Sequence, residues 1–301
     1  MYTVVRCRES LLPQFLLYFL KSDIGQQHIS HRCVGAVRFM LRFSDLEQIE
    51  MPIPPLAEQR RIVGILDEAS ALTQLRLESD EKAELLPAAI YVHLFGDPIT
   101  NPRGWPTSPL GELIDEGPQN GLYKHASFYG EGVRILRIDS FSDGEIKDTS
   151  ALKRIKATED EVAHYALRPG DLIVNRVNSP ELLGKSVLIR ELDEPTIFES
   201  NMMRFSVLPQ KANPEYIAWL LQTDLAKQHI LGRAKRAIGQ SSINQTDVRT
   251  LAIPIPPLPL QQEFASQIMN LRRLRTSRLA SAARLGDLTH SLMDRAFQGD
   301  L

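Results

Sequence analysis

The chain has 301 residues, 43% of them apolar and 24% charged, with a net charge of −2. This is an ordinary globular composition with room for one large domain or two modest ones, and it supplies no global field toward nucleic acid or membrane, so any such binding must come from local patches. Two cysteines (Cys7 and Cys33) without framework spacing, no apolar run of about eighteen residues and no signal peptide give an expected cytoplasmic location, with no membrane contact.

In chain order, residues 12–29 (LPQFLLYFLKSDIGQQHI) predict an amphipathic helix with Phe15, Leu16, Phe19 and Leu20 on one face. His28, His31 and Cys33 have plausible ligand spacing, but the matching stretch further on keeps only His229, so no metal is expected. Asp45 opens a short segment ending in MPIPP (51–55). Prolines at alternate positions forbid helix and remove ladder donors, so this piece is expected to be extended and stiff. A long helix follows from about Ala57 to Phe95; at ~1.5 Å per residue it would run on the order of 55–60 Å. Ile62, Ile65, Ala69, Leu72, Ala83, Leu86 and Ile90 fit one heptad frame, whereas Arg76, Ser79 and His93 do not. Pro87 should kink the helix near Leu86, and Gly96 and Pro98 should stop it.

Residues 103–212 change character. VRILRI (133–138), DLIVNRV (171–177), KSVLIREL (185–192) and NMMRFSVL (201–208) read as strands, with turns at 143–144 and 169–171. With a helix over 214–231, this region is mixed α+β. Three loops combine basic and amide side chains with glycine. Residues 117–132 hold Tyr123, Lys124, His125 and Tyr129; residues 175–186 hold Arg176, Asn178 and Lys185. Residues 232–247 hold Arg233, Lys235, Arg236, Gln240, Ser241, Ser242, Asn244 and Gln245. Arg and Lys suit phosphates and guanine edges, Asn and Gln suit adenine edges, and Ser fills either role. The last loop is the strongest candidate; for each loop the alternative is a solvated surface. SPELLGKS (179–186) imitates the end of a phosphate loop, but Ser179 stands where the first glycine belongs and a strand pattern follows where a helix should begin. With no nucleophile–base set, carboxylate pair or nucleotide fingerprint, the chain reads as a binder without catalysis or cofactor.

The proline segment recurs. SDLEQIEMPIPPLAEQRRIV begins at Ser44 and TDVRTLAIPIPPLPLQQEFA at Thr246, an offset of 202. Upstream, Pro13, Asp23, Gln27, His28 and Ile29 fall on Pro214, Asp224, Gln228, His229 and Ile230; downstream, Phe95 falls on Phe297. The duplicated blocks are roughly 12–96 and 213–298, and the second predicts its own long helix from about Pro259 to Phe297. There Phe264, Ile268, Leu271, Ala282, Leu285, Leu292 and Ala296 fit the frame, and Arg275, Arg278 and Thr289 do not. Both helices lose the pattern at the middle, as a pair with a polar waist would. Glu78, Asp80, Glu81 and Glu84 load the first with acid; residues 264–286 of the second have none, but carry Arg272, Arg273, Arg275, Arg278 and Arg284. Antiparallel packing sets the acidic stretch against Arg272 to Arg275, and parallel packing against Arg284 alone, so an antiparallel pair is expected.

A β-rich domain, an IPxPPLxEQ-type segment and a long helix, arranged as a repeat, resemble the specificity subunits of type I restriction-modification systems. MPIPPLAEQRRIVGILD (51–67) and IPIPPLPLQQEFASQI (253–268) carry the resemblance most strongly. LRPGDLIVNRVNSPELLGKSVLI (167–189) and GWPTSPLGEL (104–113) look like parts of a target-recognition domain. The resemblance implies an α+β chain: one β-rich target-recognition domain and two long helices packed as an antiparallel coiled coil. It implies a non-catalytic subunit that reads a half-site in double-stranded DNA and docks methyltransferase subunits, the restriction subunit joining through the complex. Its parts would be the tail of a first recognition domain (1–50), a proline turn and spacer helix (51–97), a complete recognition domain (98–252), and a second proline turn and helix (253–301). The loop RAIGQSSINQ (236–245) corresponds to HRCVGAVRFM (31–40), where the amides are gone. Three forms fit a first domain represented only by its tail: a truncated or recombination remnant, a one-domain form that homodimerises to regain two domains, and a coiled-coil scaffold that no longer binds DNA.

Overall fold

The computed structural model describes residues 4–33, 41–146, 148–237 and 240–300, with Arg236 and Ala237 as backbone only. Most of the 31–40 counterpart of the amide loop, from residue 34 on, lies outside the described residues. The chain divides into two compact units, residues 1–86 with 271–301 and residues 87–270.

The first unit holds α1 (Pro13–Lys21), α2 (Asp23–Arg32), α3 (Phe43–Leu46), α4 (Leu56–Glu84) and the distal part of α10 (Leu258–Gln298). The single helix predicted over 12–29 is two. The Ser22 hydroxyl donates to the Phe19 carbonyl at 2.7 Å, closing α1, and accepts from the Gly25 amide at 3.2 Å, opening α2. Serine before an acidic first residue is an N-cap that periodicity alone overlooks. Phe15 and Phe19 are buried with Ile62 and Leu66 of α4 and with Ala296 and Phe297 of α10.

The two long helices pack antiparallel. Ile62 shares a core with Phe297, whereas further along α4 Asp80 is ion-paired with Arg278, and Glu84 Oε1 lies 3.2 Å from Arg275 Nε. The facing arginines are thus Arg275 and Arg278, about one turn beyond the expected stretch. The residues that broke the heptad frame build the waist: Arg76 donates to Asp80 at 3.4 Å and to the Arg278 carbonyl at 2.6 Å. Leu72 and Leu86, given seam positions by the frame, are exposed. Guanidinium groups at a waist need water that a dry seam would deny them. The continuous helix expected over 57–95 is interrupted after Glu84 and resumes as α5 (Leu86–Phe95). Pro87 has no amide to donate, and its ring collides with the carbonyl four residues back.

The second unit continues from α5 through β1 (Thr107–Pro109), β2 (Gln119–Asn120), β3 (Tyr129–Leu136), β4 (Phe141–Ser142), β5 (Glu145–Ile146), β6 (Arg154–Ile155), α6 (Glu159–Tyr165), β7 (Leu172–Asn175), β8 (Val177–Asn178) and β9 (Ser186–Leu188). Then come β10 (Thr196–Phe198), β11 (Met202–Phe205), α7 (Pro214–Leu220), α8 (Asp224–Arg233), β12 (Lys235–Ala237), β13 (Gln240–Ser242), α9 (Gln245–Arg249) and β14 (Ala252–Pro254), ahead of α10. An antiparallel sheet β2-β11-β7-β9 and a sheet β10-β3-β6, in which β10 runs parallel to β3, contribute to a core that includes Leu136, Phe141, Ile173, Val187, Phe198 and Met202. β7, β9, β10 and β11 are buried at every position, so they read as apolar runs without alternation.

β10 and α6 are among the elements the sequence reading does not predict. Thr158 and Glu161 announce α6 with reciprocal capping bonds of 2.8 and 3.2 Å. The helix expected over 214–231 is again two, α7 and α8, parted where the first copy breaks at Ser22. Each proline segment is tied down by a buried glutamine. Gln59 Nε2 donates to the Ser10 and Pro54 carbonyls, and its Oε1 accepts the Leu12 amide, all at 2.8 Å. In the second copy Gln261 Nε2 donates to the Pro256 carbonyl at 2.8 Å, and its Oε1 accepts the Asn213 amide at 2.9 Å. Aromatic rings close each block: Phe15 meets Phe297 at 5.2 Å, and Tyr216 meets Phe95 at 4.9 Å. Beside that second pair, burial pushes the Tyr91 hydroxyl up to about 12.

Candidate nucleic-acid interface

β7 hands over to a different sheet at Asn175. The Asn175 backbone amide donates to the Lys185 carbonyl at 2.8 Å, and its carbonyl accepts the Gly184 amide at 3.0 Å. One residue later the Arg176 amide donates to the Asn201 carbonyl at 2.8 Å, and the Arg176 carbonyl accepts from the Ile243 amide at 2.9 Å. β8 then pairs with β13 and β13 with β12. This antiparallel ladder sets Asn178 opposite Ser241, Val177 opposite Ser242, Ser241 opposite Arg236 and Ser242 opposite Lys235. Two of the three predicted loops are therefore one three-stranded sheet.

The third loop joins through the turn at 199–201. The Leu122 amide donates to the Phe198 carbonyl at 2.9 Å, the Ser200 amide to the Leu122 carbonyl at 3.0 Å, and Arg176 Nη1 to the Ser200 carbonyl at 3.1 Å. Gly121 makes this approach feasible, because a Cβ there would collide with the Glu199 carbonyl. The Glu199 carboxyl is buried below the turn and accepts the Ile138 amide at 2.9 Å; burial raises its pKa.

The predicted residues divide into two groups. Lys235 and Gln240 are exposed; Asn178 and Ser242 are half-buried, and Ser241 is buried within the sheet. Arg233 is exposed and donates to Thr250 Oγ1 at 3.3 Å. Arg236 has its backbone in β12. Besides Arg176, the other four have partners within the fold. Lys124 Nζ lies 2.6 Å from Glu161 Oε2 and donates to the Lys156 carbonyl at 2.9 Å. His125 accepts the Ser127 amide at 3.3 Å, and Asn244 caps α9 by accepting the Asp247 amide at 3.1 Å. Lys185 Nζ donates to the Ile138 carbonyl at 3.1 Å and lies 4.6 Å from the centre of the Phe141 ring. Tyr123, between the anchored Leu122 and Lys124, is 79% exposed.

Sequence reasoning missed Arg137, Ser200 and Asn201. Arg137 lies 5.3 Å from the centre of the Tyr129 ring, and its Nε is 3.6 Å from Asp139 Oδ1. No local spacing links it to Arg176 or Gln240; the link is the 199–201 turn. Buried polar atoms without a hydrogen-bond partner among the described residues concentrate here: both amide atoms of Asn175, Arg176 Nε, Asn178 Nδ2, Arg137 Nε and Ser186 Oγ. Each such group costs about 1–3 kcal/mol, a burden that calls for explanation in a native fold.

His31 Nδ1 is engaged with the Gln27 carbonyl at 2.8 Å. In the first unit Asp23, His290 and Asp294 bring ligand atoms within 4.8 Å of one another, but Asp23 and His290 are exposed and already paired, Nε2 to Oδ2, at 2.7 Å. No helix among the described residues is long and apolar enough to cross a membrane.

A family model for the type I restriction modification DNA specificity domain matches residues 2–86 and 102–281. The chain belongs to this family. It is 26% identical over 313 residues to the StySPI specificity subunit of Salmonella potsdam, covering 99% of this chain and 67% of that protein. It is 26% identical over 314 residues to the EcoKI specificity subunit of Escherichia coli, covering 99% and 68%. Among solved structures, the HsdS subunit from Thermoanaerobacter tengcongensis matches with a TM-score of 0.54 at 21% identity, covering 97% of this chain and 71% of that one. A chain from a study of complex assembly in a type I R-M system matches at 0.64 and 20%, covering 96% and 72%. These two structural likenesses speak for the fold, and they agree with the α+β class and its long helices.

Proposed function

We propose that this specificity-family chain reads one half-site of double-stranded DNA through residues 98–252 and carries no catalytic groups of its own. The β12-β13-β8 sheet is the observation that carries this reading. It gathers an exposed lysine and glutamine, an asparagine and two serines on short strands, beside buried polar groups that have no hydrogen-bond partner among the described residues. A narrow β-ribbon can enter a major groove, where amide side chains pair bidentately with adenine. Lys235 and Arg233 supply the phosphate contacts, and Gln240, Asn178 and Ser242 the contacts to base edges. With a net charge of −2, affinity must come from this local patch.

The first unit supports partner docking. Leu72, Leu77 and Leu86 are exposed, and so are Leu274, Leu279 and Leu288, their equivalents at the offset of 202. Exposed leucines presented twice suit two copies of one partner, here methyltransferase subunits, with the restriction subunit joining through that assembly. The same leucines would serve a scaffold that binds no DNA.

The test is co-expression with a type I methyltransferase subunit and mapping of modified sites in host DNA. A bipartite motif lost with the Gln240→Ala and Asn178→Ala double variant is expected, palindromic if two chains pair as a homodimer. Absence of any motif, with methyltransferase binding retained, would favour the scaffold.

A further inference from the structure

The two duplicated blocks differ beside their proline segments. In the second unit the chain leaves α5 through Gly96 (φ 80°) and lays residues 105–110 along the second proline segment. Thr107, Ser108 and Pro109 pair with Pro254, Ile253 and Ala252. The Ile255 amide donates to the Pro106 carbonyl at 2.7 Å, the Leu110 amide to the Leu251 carbonyl at 2.8 Å, and Trp105 Nε1 to the Phe95 carbonyl at 3.0 Å.

In the first unit, no strand lies along the equivalent segment among the described residues. Phe15, Pro52, Ile53, Pro54, Ile62 and Phe297 instead line an open groove of about 450 Å³. At the repeat offset these residues correspond to Tyr216, Pro254, Ile255, Pro256, Phe264 and Phe95, of which Pro254, Ile255 and the Phe95 carbonyl contact the seated segment. Exposure records the difference. Pro254 is buried and Pro52 exposed; Ile255 is half-buried and Ile53 is 54% exposed. The Ile53 amide has no partner among the described residues, whereas the Ile255 amide has one. An apolar strand edge left without a partner is a template for another strand.

We propose that this groove is a strand-docking site for a second polypeptide. The occupant is an extended segment with the chemistry of residues 104–110: glycine, tryptophan, proline, two hydroxylated residues, proline and leucine. Its backbone pairs with residues 50–53 and accepts the Ile53 amide, and its tryptophan packs at the helix end marked by Phe297. Main-chain pairing gives affinity, and the aromatic side chain gives selectivity. The site lies outside the DNA-reading sheet, so this proposal stands or falls independently of the DNA reading.

The experiment titrates the full chain against a fluorescent peptide of residues 103–113 (RGWPTSPLGEL), read by anisotropy. The expected result is saturable one-to-one binding. It is absent for a scrambled peptide and for a Trp105→Ala peptide, weakened roughly tenfold or more by Ile53→Asp in the chain, and unchanged by Lys235→Ala. Ile53 is exposed, so its substitution spares the fold. A second form of the chain, with residues 97–113 appended after Leu301, raises the local concentration and is expected to protect the Ile53 amide from hydrogen exchange. Failure of both binding and protection overturns the proposal, as does binding that Ile53→Asp leaves intact. Self-association of the untreated chain that Ile53→Asp abolishes would make the occupant a second copy and overturn the assignment to a different polypeptide.

Discussion

The Leu12 amide donates to the side-chain oxygen of Gln59 at 2.8 Å, joining the start of α1 to the first turn of α4. Through its nitrogen the same amide holds the Ser10 and Pro54 carbonyls, and Gln59 is fully buried. The stiff proline segment is thereby fixed at a defined angle to both helices. Gln59→Leu leaves these backbone groups unpaired in the interior and is expected to destabilise the chain by about 2–4 kcal/mol. Chemical denaturation measures this, and a midpoint unchanged from the parent chain would contradict it.

The waist between α4 and α10 should behave as a half-buried ion pair still within reach of solvent. Asp80→Ala is expected to cost only about 0.5–1 kcal/mol at low salt, with the difference fading near 1 M salt. Exchanging the charges (Asp80→Arg with Arg278→Asp) should recover most of the loss. Denaturation at the two ionic strengths tests this, and a salt-independent loss would speak against an electrostatic origin.

Phosphate and base contacts separate by salt dependence. Lys235→Ala should weaken binding to all DNA sequences alike and reduce the slope of log K against log salt by about one. Gln240→Ala should leave that slope unchanged and cost about 1–3 kcal/mol of discrimination between the modified site and competitor DNA. Lys124→Ala, which breaks the link to Glu161, should lower stability and leave the slope alone. Equal slopes for the parent chain and Lys235→Ala would remove Lys235 from the interface.

The His290 imidazole is hydrogen-bonded to Asp23, and the nearby carboxylate charge adds to the effect; together they raise its pKa above 6.5. A raised folded pKa stabilises the protein below the unfolded value, and the contribution is lost as pH rises through the folded value. An NMR titration of the imidazole should place its midpoint above 6.5, and Asp23→Asn should bring it down. A midpoint indifferent to that substitution would assign the shift elsewhere.

The antiparallel helix pair was legible because its determinants are local and periodic. Glu84 and Asp80 do meet Arg275 and Arg278, from charge runs visible in a single pass along each helix. The break after Glu84 is legible in Pro87, whereas the break at Ser22 rests on a side-chain cap that periodicity does not report. α6 rests on a complete capping box formed by Thr158 and Glu161, a signal independent of hydrophobic periodicity.

The candidate interface was legible only in its parts. The 175–186 and 232–247 loops were each chosen for their residue types, and nothing in their spacing brings Asn178 opposite Ser241. Arg137 offered no local signal at all.

The amino-acid sequence by itself determined the repeat, the two long helices and their mutual direction, because helical periodicity and charge along one axis are short-range properties. Only the tertiary structure decided that three separate loops are linked through Arg176 and the 199–201 turn, that Lys124 meets Glu161 and Lys185 the Ile138 carbonyl, and that one proline segment is covered and the other open. Those outcomes depend on strand pairing between distant residues, whose partners are set by the packing of the whole sheet.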